Sequence, residues 1–236
     1  MHDERSLAAA RIITVAARLA TIREHLIFIG GTVLPLLVDV DDRFFAPRIT
    51  DDVDAVGVVA TYAQSARLEA AVAAAGYTPA VRSRHKGRWV ARDGSLFDLS
   101  FAGSFPGASG SVVDEIAVET AMPMHGQPSI RHVSPVGLFL MKCAAYRDRG
   151  QQRPADSKDL ADLAILLVAA NLPADTQETT ERARAEVVTR SRWLRGLTYT
   201  HNALIAHFSD RHPKPPETAA ELADEAMLTL QQLAQL

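Results

Sequence analysis

Arg48-Ile49-Thr50-Asp51-Asp52-Val53-Asp54-Ala55-Val56-Gly57-Val58-Val59 is the stretch on which the fold turns. From Val53 onward it is apolar on both faces apart from Asp54, as a strand covered on both sides of a sheet requires. Residues two apart on a strand project the same way, so Asp52 and Asp54 present two carboxylates side by side at its acidic start. Like charges that close need a cation. Two carboxylates offering hard oxygen ligands suit Mg²⁺, which keeps several waters and is completed by substrate phosphates. The other reading of Asp-x-Asp is a solvated acidic turn ahead of a strand.

Working outward, Leu26-Ile27-Phe28-Ile29 reads as a buried strand closed by Gly30-Gly31, where missing side chains let backbone N–H groups approach a phosphate. Before it, the spacing of Leu7, Ile12, Val15, Leu19 and Ile22 predicts an amphipathic helix over 6–25. Residues 32–38 form a short helix and 39–47 a charged loop on this reading. After the acidic strand come a helix over 62–75 ended by Gly76 and three strands at 77–83, 88–92 and 95–101. Asp93-Gly94 joins the last two as a hairpin. In the third of these, Phe97, Leu99 and Phe101 share one face and Asp98 stands on the other. Residues 102–110, rich in Gly and Ser, read as a loop.

The last strand candidate is 130–133, and Ser134-Pro135 starts a helix over 135–149 with serine as N-cap and proline at the first helical position. A second helix covers 156–171. The remainder to residue 236 is helical in pattern, broken by His212-Pro213-Lys214-Pro215-Pro216. The expected architecture is an α/β protein: a mixed sheet flanked by helices over 1–133, then an α-helical C-terminal domain over 134–236.

Composition narrows the class. The 236 residues are 47% hydrophobic and 22% charged, which excludes a disordered chain, and one cysteine, Cys143, excludes an internal disulfide and suits a reducing, cytoplasmic setting. Met1-His2-Asp3-Glu4-Arg5 has the wrong charge order for a secretory leader, and no apolar run nears the length of a membrane span. A net charge of -3 gives no global basic field, so nucleic acid would be held by a local patch. Arg82, Arg84, Lys86 and Arg88 alternate and form such a ridge if one strand runs through them; the bland reading is a charged sheet edge. Arg182, Arg184, Arg190, Arg192 and Arg195, near Trp193 and Tyr199, form a second basic group. His125, His132, His201, His207 and His212 lack metal-ligand spacing, and neither a Walker A motif nor a dinucleotide fingerprint is present.

Gly30-Gly31, then Arg48-x-Thr50-x-Asp52-x-Asp54, then Asp98 on a hydrophobic strand, resembles the DNA polymerase β-type nucleotidyltransferase superfamily. Within it the pattern is similar to the AbiEii/AbiGii-type (MenT-like) toxin family. The similarity continues through Pro135 to Arg147, which carries Lys142 in an apolar helix, and through Lys158-Asp159-Leu160-Ala161-Asp162-Leu163. It implies an enzyme of a toxin–antitoxin system that uses Mg²⁺ and a nucleoside triphosphate to add nucleotide to RNA, at the 3′ end of tRNA, and that meets a cognate antitoxin protein. It further implies catalytic roles for Asp52, Asp54, Asp98, Lys142 and Asp159, metal binding by Asp52, Asp54 and Asp98, and nucleotide contacts from Gly30, Gly31, Thr32, Arg48, Thr50 and Lys142. Transfer to a small molecule or a protein side chain, and a silent partner-binding domain, are the competing readings.

Lys142 stands out without the resemblance. Four of the 25 basic residues are lysines, and this one lies in an otherwise apolar helix, where an ammonium needs an anion. A triphosphate would supply it. On that reading the ammonium has no fixed protein partner, so Lys142→Met is expected to keep or raise stability. Asp162 either orients Lys142 or borders the core.

Overall fold

The structure is a computed structural model and describes residues 2–38, 50–81, 87–103, 111–210 and 216–236. Arg48, Arg82, Arg84, Lys86 and His212 lie outside the described residues. Two compact units emerge, one of Met1–Leu36 with Arg48–Ser134, the other of Leu37–Pro47 with Pro135–Leu236.

In chain order the first unit holds α1 (His2–Arg18), β1 (Leu26–Ile29), α2 (Leu34–Leu37), β2 (Asp52–Val58), α3 (Tyr62–Ala74), β3 (Tyr77–Pro79), β4 (Arg88–Ala91), β5 (Leu96–Ala102), α4 (Val112–Glu119), β6 (Met122–Met124) and β7 (Gln127–His132). The seven strands form one mixed sheet in the order β3-β4-β5-β2-β1-β7-β6. Central β2 is antiparallel to β1 and parallel to β5, with Asp54 opposite Ile29 on one side and Asp98 on the other. All four residues of β1 are buried, as its unbroken apolar run requires.

Helix α3 begins where sequence and capping chemistry agree: Thr61 and Gln64 form a reciprocal capping box. It packs on the sheet through Leu68 and Val72, both buried. Gly57 makes that packing close, because a Cβ there would lie 2.8 Å from the Phe101 ring and 3.0 Å from the Leu68 side chain.

In the first unit the elements depart from the sequence reading in four places. The first helix stops at Arg18, and a turn followed by a 3₁₀ segment, Arg23–His25, buries Leu19 and Ile22 while reversing the chain into β1. Strand β3 ends at Pro79, and one further hydrogen bond, from the Ala80 N–H to the Arg88 carbonyl, follows it. Helix α4, capped by the Ser111 side chain, and strand β6 arise in a stretch to which the sequence reading assigns no element. Strand β7 is longer than 130–133 and pairs back on β6 around Gly126, at φ 72°.

The second unit is helical: α5 (Pro135–Ala145), α6 (Lys158–Ala169), α7 (Leu172–Gln177), α8 (Glu181–Gly196), α9 (Thr200–Asp210) and α10 (Pro216–Leu233). Helix α6 is its centre, with Leu160, Leu163, Ala164, Ile165, Leu166 and Leu167 all buried, and α5 and α10 pack against it. The expected helix over 135–149 leaves α-geometry at Tyr146–Gly150, a single π turn, before a 3₁₀ segment, Pro154–Asp156, and the Ser157 cap of α6. No described helix is long and apolar enough to cross a membrane.

Gly57→Ala should lower stability by about 1–3 kcal/mol, since the added methyl must displace Phe101 and Leu68 in a packed interior. Urea denaturation of the variant beside the parent protein checks this; an unchanged midpoint and slope would show the sheet and α3 to be loosely packed there.

Candidate active site

The carboxylates of Asp52, Asp54 and Asp98 converge because β2 and β5 are parallel and in register at Asp54 and Asp98. Asp52 and Asp54 share a face through the two-residue repeat of β2. One oxygen from each of the three lies within 4.8 Å of the others, and all three residues are half-buried. The donor set is all carboxylate oxygen, the chemistry of a hard divalent cation rather than of zinc or copper.

Gly30 follows β1 at φ 79°, a conformation glycine adopts without a Cβ penalty. A Cβ at that position would overlap the Asp54 carboxylate, so this glycine is what lets the carboxylate lie against the turn. Gly31 is buried beside it. Thr32, 2% exposed, places its hydroxyl 2.6 Å from that of Thr50 and donates to the Asp52 carbonyl at 2.7 Å. Thr50 reaches the same carbonyl at 3.1 Å, and Arg11 donates to the Thr50 carbonyl. Two hydroxyl protons are thus shared among three contacts inside the protein. In this arrangement the threonines hold the start of β2 to the turn after β1.

Arg88, the first residue of β4, faces the acidic group rather than solvent. Its Nε donates to Asp98 Oδ1 at 2.8 Å, and its Nη2 donates to Asp98 Oδ2 at 2.6 Å and to Asp52 Oδ2 at 2.8 Å. The Asp98 hydrogen bonds hold the guanidinium pKa above its usual value despite the opposing effect of burial. Gly87, at φ 81° with its carbonyl accepting from the Leu99 N–H, turns the chain immediately before Arg88. The expected ridge through Arg82, Arg84, Lys86 and Arg88 is corrected at its last member: Arg88 is folded onto Asp98, and the other three lie outside the described residues.

In the second unit, Lys142 on α5 is 7% exposed and pairs with two aspartates of α6: Nζ lies 2.5 Å from Asp162 Oδ2 and 3.4 Å from Asp159 Oδ1. Arg149, from the π turn, forks onto Asp159 at 2.8 and 3.1 Å. Burial alone would raise the Asp159 carboxyl, but the Arg149 hydrogen bonds and the Lys142 charge outweigh it and hold it below the ordinary carboxylate range. The expectation of an ammonium without a fixed protein partner is therefore corrected, because Asp162 and Asp159 supply the anion. Arg149 had no periodic signal in the sequence. Its position follows from the π turn, in which Gly150 lets the Tyr146 ring and the Ser157 hydroxyl close together where a Cβ would collide with both.

Burial drives the Cys143 thiol far above its ordinary value, which leaves it inert as a nucleophile. Of the C-terminal arginines, Arg190 is bound to Glu186, Arg184 to the Gln177 carbonyl and Arg192 to the Ala234 carbonyl, and Arg182, Arg192 and Arg195 are exposed on α8.

A mixed sheet with three convergent carboxylates beside a glycine turn is characteristic of the nucleotidyltransferase class. Residues 13–234 match the family model of the nucleotidyl transferase AbiEii toxin, Type IV TA system, and the chain belongs to that family. It is accordingly a nucleotidyltransferase and the toxin component of a toxin–antitoxin pair, with a nucleoside triphosphate as substrate and an antitoxin as partner. No curated protein and no solved structure matches the chain.

Lys142→Met should destabilise the protein by about 3–5 kcal/mol, because Asp162, with its side chain 0% exposed, loses its buried cation. Lys142→Met combined with Asp162→Leu should recover a large part of that loss in urea denaturation; a double variant as unstable as the sum of its single changes would contradict the coupling. Asp159 adds a pH dependence. Its carboxyl is depressed in the folded state, so its contribution is present at neutral pH and is lost as pH falls below about 4, where the unfolded chain takes up the proton first. Asp159→Asn should flatten the fall of melting temperature in that acidic range.

Proposed function

We propose that the protein transfers a nucleotide from a nucleoside triphosphate to RNA, at the 3′ end of tRNA, in an Mg²⁺-dependent reaction at Asp52, Asp54 and Asp98. The observation that carries this reading is the convergence of one oxygen from each of these residues within 4.8 Å. Magnesium, when held there, supplies the Lewis acid that activates an attacking hydroxyl and offsets charge on the leaving pyrophosphate. Asp54 and Asp52 would hold the cation from β2, with Asp98 completing the set from β5. The backbone of Gly30 and Gly31 offers N–H groups to phosphate without side-chain obstruction. Thr32 and Thr50 keep β2 and the glycine turn in register, and Arg48 is assigned to the nucleotide by the family pattern.

The first unit is the catalytic module in this reading. The family pattern also counts Lys142 and Asp159, which pair with each other in the second unit, among the functional residues. Exposed Arg182 and Arg195 on α8 offer positive charge to an RNA backbone on a chain whose net charge is -3. A single buried cysteine suits work in the cytoplasm.

Incubation with labelled nucleoside triphosphates, Mg²⁺ and total RNA, with protein and small-molecule acceptors in parallel, should place label on RNA of tRNA size. Label only on protein or on a small molecule would overturn the acceptor. Asp54→Ala should reduce transfer by about a hundredfold or more while the melting temperature holds or rises, since the change relieves carboxylate repulsion. Undiminished transfer would refute the assignment.

A further inference from the structure

Arg88 makes an unusual demand on the acidic group, because it engages the oxygens a cation would use. Both oxygens of Asp98 are taken by its fork, and Nη2 bridges Asp98 Oδ2 and Asp52 Oδ2 at 2.6 and 2.8 Å. A single nitrogen thus occupies the point between two of the three carboxylates. A magnesium ion, which binds oxygen at about 2.0–2.1 Å, would meet the guanidinium charge at close range on either of these oxygens. The guanidinium side chain is 17% exposed, so it is held by these bonds and by the sheet rather than swinging in solvent. Backbone pairing fixes its origin as well, since Arg88 is directly opposite Asp98 in the β4–β5 ladder and Gly87 bends the chain to deliver it there.

We propose that Arg88 is an internal competitor for the divalent cation: its guanidinium holds Asp52 and Asp98 together and must withdraw from the bridging position before a cation can join them. The inference rests on reading Asp52, Asp54 and Asp98 as a cation site. It assigns Arg88 two effects of opposite sign. Arg88 offsets repulsion among three carboxylates, which stabilises the fold, and it raises the cation concentration at which the site fills. A guanidinium whose Nη2 lies 2.6 and 2.8 Å from two of the carboxylate oxygens opposes a second cation strongly in a half-buried site.

The test measures Mn²⁺ alone, without nucleotide, by the electron paramagnetic resonance signal of the free ion. Arg88→Met keeps the length of the stem and removes the charge, and should bind Mn²⁺ about tenfold more tightly or better than the parent protein. Its melting temperature in chelator should fall, and Mn²⁺ should restore more of it than Mn²⁺ adds to the parent protein. Equal or weaker Mn²⁺ binding by a folded Arg88→Met would overturn the competition and leave the cation site standing. Binding by neither protein would overturn the cation site and the competition with it. If Arg88→Met does not fold, the parent protein decides the question. The Arg88 Nε–H resonance, protected from solvent exchange by Asp98, should lose protection in step with Mg²⁺ saturation, and full protection at saturation would overturn the proposal.

Discussion

Asp52, Asp54 and Asp98 cannot stand as close as β2 and β5 hold them without positive charge nearby, and much of the first unit is arranged around that constraint. Parallel pairing puts Asp54 and Asp98 at the same level of adjacent strands. The strand repeat adds Asp52 on the same face. Gly30 has no Cβ because the Asp54 carboxylate uses that space, and the paired threonines tie β2 to the glycine turn through the Asp52 carbonyl. Arg88 offsets part of that negative charge from the neighbouring strand β4. Removing any of these alters where the carboxylates point, so the chemistry depends on backbone register as much as on the acids themselves.

The second unit meets the same problem with the signs reversed. Lys142 lies in an apolar helix, and α6 answers it with Asp159 and Asp162, while Arg149 returns from the π turn to complete the charge balance on Asp159. Lys142, Asp159 and Asp162 are then buried together, and the exposed Arg149 reaches Asp159 from the solvent side. Such a cluster contributes little net stability relative to an apolar core, but losing one member is costly because its partner stays behind in a dry environment. The cluster therefore fixes the register of α5 against α6.

Much of this was legible in the sequence where a period applied. The buried run of β1, the acid-headed strand β2, the Asp93-Gly94 hairpin and the alternation that isolates Asp98 follow from the two-residue repeat, and the pairing of β2 with β5 follows expectation. What escaped has a physical reason in each case. Arg88 was grouped with Arg82, Arg84 and Lys86 by an alternation that assumes a continuous strand, whereas Gly87 bends the chain and sends Arg88 onto Asp98. Arg149 and Asp159 are joined across a π turn and a 3₁₀ segment, which no helical period connects. Strand β6 is three residues with a central proline, below any strand signal, and it exists because β7 offers it an edge.

The central claim is that the sheet builds one cation site from three carboxylates of two strands. Anomalous diffraction from crystals soaked in Mn²⁺ tests it most directly. The expected result is a single strong peak bounded by Asp52, Asp54 and Asp98, with the Arg88 guanidinium moved off the Asp98 oxygens. Well-ordered carboxylates with no peak among them at saturating Mn²⁺, or a peak held elsewhere in the chain, would contradict it.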